Sequence, residues 1–220
     1  MKGAIRLLTV VCLAAFLDVC AAAGEDFSAS DLLEKIQKKY EGIADARVQF
    51  FQSTRFSLSK ATQTTKGTLF MKKGPKYRIE TEQQTIVTDG TTVWSYSAIS
   101  NQVLIDRYEE TSRSFSPEKF LLRAPKDYSA TLLREEKTSS GKRYVLKLVP
   151  KSDDSFLQTM KLWVEENSWL IRKAELLDQN ETETTYEVRS IVINSGIGDG
   201  TFRFDVPAGA DVVDMRPHSQ

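Results

Sequence analysis

Histidine and cysteine are almost absent from this chain of 220 residues. The one histidine is His218, close to the carboxyl end, and the two cysteines are Cys12 and Cys20. Common zinc and iron sites are built from these residue types, and Ser-His-Asp or Cys-His catalysis needs a histidine beside the nucleophile. We therefore expect no metal, no cofactor and no enzyme of these classes.

A surplus of positive charge is missing as well, because 30 Lys and Arg residues balance 30 Asp and Glu residues. Binding to the phosphates of a nucleic acid depends on such a surplus, so nucleic acid is not an expected partner. The glycine-rich stretch 196–200 lacks the Lys-Ser/Thr pair of a phosphate-binding loop and is predicted to be a turn.

A pair of catalytic carboxylates is still possible with this composition, because a glycosidase needs only two acidic side chains, one on each side of the glycosidic bond. The candidates are Glu80, Asp89, Glu165 and Glu175. Asp89 directly precedes Gly90 and is accounted for by turn geometry, while Glu165 and Glu175 alternate with apolar residues as on a solvent-facing side. We therefore expect a protein that is not an enzyme.

Residues 1–23 have the pattern of an export signal. Lys2 and Arg6 give a short positive region, residues 7–17 are almost entirely apolar, and a run of three alanines ends at Ala23. This organisation is typical of a secretory signal peptide with cleavage after the last alanine. The apolar stretch is too short to span a bilayer as a permanent helix.

A lipoprotein signal is the alternative interpretation of the same segment, in which Cys20 would carry acyl chains. That route normally has a small residue immediately before the cysteine, whereas Val19 stands there.

Cleavage after Ala23 leaves residues 24–220, which contain no cysteine. We expect these residues to form one domain that is stabilised by its apolar core and not by disulfides.

Strand-like alternation dominates residues 24–220. A capping box at 28–31 predicts an amphipathic helix that ends at Gly42, and Ser116-Pro117 predicts the start of a second, short helix. The spacing of the strands, about 8–12 residues, is typical of an antiparallel meander that curls into a barrel-like sheet. The predicted strands are 46–56, 67–72, 76–81, 85–88, 92–96, 103–107, 129–135, 143–149, 160–165, 170–177, 184–193 and 201–205.

Large apolar side chains are concentrated on these segments. They either fill the barrel or line a lumen wide enough for a small ligand, and both interpretations remain open from the residues alone. The two short helices would suit a lid over one opening of the barrel. The candidate cavity residues are Phe50, Leu69, Met71, Tyr77, Ile79, Trp94, Tyr96, Phe120, Leu121, Leu146, Leu148, Met160 and Leu162.

Five segments carry a family resemblance through their order along the chain. The most specific is 86–96, IVTDGTTVWSY, which is similar to a v-x-D-G-x-x-l-W-x-Y hairpin. Segments 48–52 and 67–73 are similar to the first two strands of the same family, 148–151 to its L-x-P-K motif, and 202–209 to its closing F-x-F-x-P-P-x-G motif. Together they resemble the periplasmic outer-membrane lipoprotein carrier proteins, the LolA family.

The resemblance implies a mainly β fold, with a single antiparallel, incompletely closed barrel, short α-helices as its lid and an apolar cavity, as in LolA and LolB. It implies a monomeric periplasmic chaperone that binds the acyl chains of lipoproteins and shuttles them from the inner to the outer membrane. The implied partners are acylated lipoproteins, an inner-membrane lipoprotein-releasing ABC transporter and an outer-membrane lipoprotein receptor. A LolB-like receptor or an RseB-like sensor domain is the alternative.

One position departs from the family pattern. Family members often carry an arginine immediately before the proline of the second strand, where it is linked to lid closure and one-way transfer. Here Gly74 precedes Pro75. Lys73 and Arg78 are the candidates for this lid and transfer-control role, although lysine lacks the planar fork of arginine.

Overall fold

The computed structural model describes residues 27–109 and 127–216. The predicted export signal, the second helix with Phe120 and Leu121, and His218 lie outside the described residues. The described part consists of one α-helix, one short 3-10 helix and twelve strands. The expectation of a mainly β protein is confirmed.

The α-helix, α1, spans Ala29–Glu41, and the 3-10 helix spans Asp199–Phe202. The strands follow one another by short connections between residues 45 and 107 and again between residues 128 and 193, and a longer connection that contains the 3-10 helix leads to the last strand. Their bounds are β1 Asp45–Arg55, β2 Thr62–Lys72, β3 Lys76–Thr81, β4 Gln84–Thr88, β5 Thr92–Ser97, β6 Gln102–Arg107, β7 Tyr128–Thr138, β8 Gly141–Pro150, β9 Leu157–Glu165, β10 Ile171–Asp178, β11 Glu183–Ile193 and β12 Asp211–Asp214.

Helix α1 begins at the predicted capping box. The Ser28 hydroxyl accepts a hydrogen bond from the Asp31 backbone N–H at 3.2 Å, and the Asp31 carboxylate accepts one from the Ser28 backbone N–H at 3.0 Å. These two bonds satisfy donors that the first turn of a helix leaves without partners. Gly42 ends the helix, as the sequence predicts.

All twelve strands belong to one sheet in the order β12-β6-β5-β4-β3-β2-β1-β11-β10-β9-β8-β7. Neighbouring strands are antiparallel except β12, which runs parallel to β6. The two edge strands, β12 and β7, do not pair with each other, so the sheet is open. An antiparallel barrel that is not closed is consistent with this arrangement.

The predicted strand at 201–205 is wrong. Residues 199–202 form the 3-10 helix, and residues 203–207 belong to no strand. Phe202 is nonetheless 1% exposed, and the ring of Phe204 lies 6.2 Å from that of Tyr96. The alternation of these aromatic residues therefore indicates that one side of the segment packs on the sheet. It does not indicate that the backbone of the segment is hydrogen-bonded into the sheet.

The two faces of the sheet are distinguished by α1. We call the face that contacts α1 the inner face and the opposite one the outer face. Leu32, Leu33 and Ile36 of α1 pack on the inner face, where they form the main apolar core. The buried strand residues of this core are Tyr144, Leu146, Leu148, Leu157, Met160, Leu162, Val164 and Leu176, from β8, β9 and β10.

Candidate functional site

A cavity of about 360 Å³ lies on the inner face of the sheet beside α1. Sites for small organic ligands have volumes of about 300–1,000 Å³, so a ligand of modest size can enter this space. Its wall combines apolar side chains with uncharged polar ones, which are Tyr40, Gln52, Thr81, Gln84 and Tyr186. The apolar lining residues are Ala46, Val48, Phe50, Leu69, Met71, Ile79, Ile86, Met160, Leu162, Ile171, Ala174, Leu176, Val188 and Ile191.

Strand register brings much of this apolar lining together. Residues that lie directly opposite each other in adjacent strands project from the same face of a sheet. Ile86, Ile79, Leu69, Val48 and Ile191 are paired in this order across β4, β3, β2, β1 and β11. They form a continuous aliphatic row across five strands, and this row is one side of the cavity.

Of the predicted cavity residues that the structure describes, only some line the cavity. Leu146 and Leu148 lie on the inner face but are completely buried in the core under α1. Tyr77 lies on the same face, opposite Met71, and its pKa is raised by burial and by the neighbouring Tyr108. Those that line the cavity are Phe50, Leu69, Met71, Ile79, Met160 and Leu162.

The expected cavity positions of Trp94 and Tyr96 are corrected by the strand register. Trp94 lies opposite Val87, whereas the cavity residue Ile86 lies opposite Ser95. Trp94 and Tyr96 therefore project from the outer face. There the Tyr96 hydroxyl donates a hydrogen bond to Asn101 Oδ1 at 3.2 Å.

Strands β10 and β11 supply lining residues that the sequence analysis did not select, among them Leu176, Tyr186, Val188 and Ile191. The alternation of Tyr186 and Val188 was a signal that could have found two of them. Ile191 breaks that alternation, because the pairing of β1 with β11 shifts by one residue between Gln49 and Phe50. Such a bulge leaves no recognisable pattern in the sequence.

Two of the residues that line the cavity are tyrosines, Tyr40 and Tyr186. The backbone N–H of Ile171 donates a hydrogen bond to Tyr40 Oη at 3.2 Å, and burial raises the pKa of Tyr40 to about 12. Burial likewise raises the pKa of Tyr186, whose ring meets that of Phe50 edge-on at 5.9 Å. Both hydroxyls are therefore neutral around pH 7, so each can donate a hydrogen bond.

The candidates for lid control, Lys73 and Arg78, lie away from the cavity. Arg78 is opposite Val87 and so projects from the outer face, where its Nη1 donates to the carbonyl oxygen of Arg203 at 3.2 Å. Lys73 is exposed in the turn after β2, and its backbone N–H donates to the Ala44 carbonyl at 2.8 Å. Control of a lid by either residue stays a prediction.

Within residues 27–109 and 127–216, no group of three or more His, Cys, Asp or Glu side chains is placed to hold a metal ion. The helices of this part of the chain are also too short or too polar to cross a membrane. The longest of them, α1, has 13 residues.

The family model described as "Outer membrane lipoprotein carrier protein LolA" matches residues 41–205, well over half of the chain. The chain belongs to the LolA family. The match begins at the last residue of α1 and extends to the segment that packs on the outer face, so it includes eleven of the twelve strands and most of the residues around the cavity.

Curated relatives of this LolA family member share about a quarter of its residues. It is 24% identical over 196 residues to the outer-membrane lipoprotein carrier protein of Actinobacillus pleuropneumoniae, which covers 88% of each chain. It is 28% identical over 205 residues to the protein of that name in Neisseria meningitidis, covering 90% of this chain and 95% of the relative. An uncharacterized protein of Methanocaldococcus jannaschii is 26% identical, and there the match spans 56% of the relative's length.

A solved structure shows the same fold. The crystal structure of an uncharacterized conserved protein from Thermus thermophilus superposes with a TM-score of 0.56 at 14% sequence identity. The superposition covers 84% of this chain and 98% of the other. The open sheet is therefore an architecture also found in that crystal structure.

Proposed function

We propose that this protein binds the acyl chains of lipoproteins in the inner-face cavity and carries them through the periplasm from the inner to the outer membrane. The observation that carries the proposal is the cavity itself. Its wall is built from aliphatic and uncharged side chains, in a member of a family whose relatives are named outer-membrane lipoprotein carrier proteins.

The energetics of a lipid anchor explain why such a cavity is useful. Burying a methylene group stabilises it by about 0.8 kcal/mol, so an exposed acyl chain of about 16 carbons costs on the order of 10 kcal/mol. An acylated protein therefore leaves a membrane only slowly unless another apolar surface covers the chain. The row from Ile86 to Ile191 offers such a surface.

Carriage of this kind is a binding function and involves no covalent step. We infer that the protein is not an enzyme and uses no cofactor. Affinity then depends on the shape of the cavity and the polarity of its wall, and release depends on contacts with the acceptor.

The location and partners follow from the same proposal. An export signal at 1–23 would deliver residues 24–220 to the periplasm as one carrier domain. An inner-membrane ABC transporter would supply the acylated lipoprotein, and an outer-membrane receptor would accept it. The names of the curated relatives support this route.

Two measurements test the proposal. The mature protein is purified from the cell envelope and its bound material identified by mass spectrometry, and the protein is then added to spheroplasts to measure lipoprotein release. We expect bound lipoprotein and release in proportion to the added protein. Recovery of neither lipid nor lipoprotein, together with no release, contradicts the proposal. Bound lipoprotein without release would instead favour a receptor or sensor.

A further inference from the structure

The cavity contains hydrogen-bond donors that a pure hydrocarbon cannot use. The polar residues at the strand ends bond to their neighbours: Gln52 Nε2 donates to Thr54 Oγ1 at 3.1 Å, and Thr81 Oγ1 donates to the Gln84 carbonyl at 3.0 Å. Gln84 bonds to Thr81 through its backbone only, and its side chain is exposed. The two tyrosines that line the cavity, Tyr40 and Tyr186, are less exposed than Gln84, and their hydroxyl protons have no acceptor among the described residues.

Tyr40 lies in the last turn of α1, where its hydroxyl oxygen accepts the hydrogen bond from Ile171 N–H. A phenol hydroxyl has one proton to donate besides the lone pairs with which it accepts. The bond from Ile171 fixes the position of the oxygen and leaves that proton available. The hydroxyl oxygen of this cavity-lining residue is thus held in place, and its proton has no acceptor among the described residues.

Tyr186 lies on β11, opposite Gln52 of β1 and Ala174 of β10, and its ring is held edge-on against Phe50. Its hydroxyl makes no hydrogen bond to residues 27–109 or 127–216. Burial already raises its pKa, so the group stays protonated and a donor. A donor that loses contact with water when a ligand fills the cavity is destabilising unless that ligand supplies an acceptor.

We propose that the hydroxyls of Tyr40 and Tyr186 donate hydrogen bonds to the carbonyl oxygens of the bound acyl groups. The inference rests on the proposed function and adds to it the recognition of the neutral carbonyl group of each acyl ester or amide. An ester or amide carbonyl accepts hydrogen bonds and carries no charge, so it matches a wall of neutral donors. The carboxylate of a free fatty acid would be buried without a cation, which is unfavourable.

The test measures affinity for three ligands of equal chain length by displacement of an apolar fluorescent dye. The ligands are methyl palmitate, hexadecane and palmitate at pH 8. The variants are Tyr40→Phe and Tyr186→Phe, and Tyr96→Phe on the outer face is the matched control. Tyr186→Phe breaks no internal hydrogen bond between described residues, so it reports on the ligand even if Tyr40→Phe weakens the fold.

We expect the wild type to prefer the ester over both other ligands. Each cavity variant should lose about fivefold in affinity for the ester, the usual effect of one neutral hydrogen bond, and keep its affinity for hexadecane. Equal wild-type affinity for ester and hexadecane, or an equal loss for both in the variants, overturns this inference and leaves the carrier proposal standing. Binding of none of the three ligands overturns both.

Discussion

The ring of Phe50 lies over Gly67, its direct partner in the ladder between β1 and β2. A Cβ atom at residue 67 would be 2.9 Å from the Glu80 carbonyl oxygen and would also overlap the ring. The absence of a side chain therefore leaves room for the tip of the ring at β2, and Phe50 also lines the cavity and contacts Tyr186. A glycine inside a strand often marks such a close approach.

Gly67→Ala should lower the free energy of unfolding by about 1–3 kcal/mol, because the ring must move and the Glu80 carbonyl cannot do so easily. Urea unfolding followed by tryptophan fluorescence measures the change. Gly198→Ala is the control, since a Cβ there meets nothing within 4 Å. Equal stability of the two variants would show that the ring does not need this space.

A charge on the inner face should weaken binding of the acyl chain at least tenfold, whereas the same charge on the outer face should leave it unchanged. Ile191 lines the cavity, and its neighbour Val192 lies opposite Arg47 on the outer face, 52% exposed. Ile191→Glu would place an unpaired carboxylate against the acyl chain, so we expect a loss of tenfold or more in affinity. Val192→Glu should bind as the wild type does.

Fatty-acyl dye titration measures both affinities, and circular dichroism confirms that each variant is folded. Equal binding by the two variants would place the ligand elsewhere on the molecule.

The buried carboxylate of Asp45 predicts a pH dependence of stability. Asp45 is 5% exposed at the start of β1, and it accepts hydrogen bonds from the N–H groups of Ser195 and Gly196 at 2.8 and 3.0 Å. Burial on its own raises the pKa of Asp45, but the hydrogen bonds outweigh it and the net pKa is lowered. The bonds therefore stabilise the fold above the unfolded-state pKa of about 3.9, and this stabilisation is lost as the pH falls through the folded-state value.

Asp45→Asn should accordingly be less stable than the wild type at pH 7, and the difference should shrink as the pH falls below about 4. Urea unfolding at a series of pH values measures it. Asp153→Asn is the control, because Asp153 lies in the exposed turn between β8 and β9 and the variant likewise removes one negative charge. A difference that does not vary with pH would mean that ionisation of Asp45 is irrelevant to stability.

The last residue of the 3-10 helix, Phe202, should be important for the stability of the fold. Phe202 is 1% exposed, so Phe202→Ala leaves a cavity and should lower the free energy of unfolding by about 3–5 kcal/mol. Val206→Ala, at a side chain that is 44% exposed, should change it by less than about 1 kcal/mol. Chemical denaturation measures both, and similar values for the two variants would contradict the observed packing.

Features that depend on neighbours in the sequence could be predicted without the structure. The capping box and apolar spacing define α1, and Asp89-Gly90 defines the turn between β4 and β5. There the Asp89 carboxylate accepts from the Thr91 N–H at 2.8 Å and Gly90 has φ 99°. These signals act over a few residues, so the chain carries them wherever the segment lies in the fold.

Only the tertiary structure decided which side of each strand faces the cavity. Alternation gives two faces but does not say which is inner, so the sequence predicted Trp94 for the cavity and missed Ile86, and only the pairing of β4 with β5 shows that Ile86 is the inner residue. The bulge before Phe50, the unpaired aromatic segment after Phe202 and the exposed strand β12 depend on distant partners in the same way. Strand pairing and sheet curvature depend on contacts between residues far apart in the chain. The alternation of side chains along a single strand does not encode those contacts.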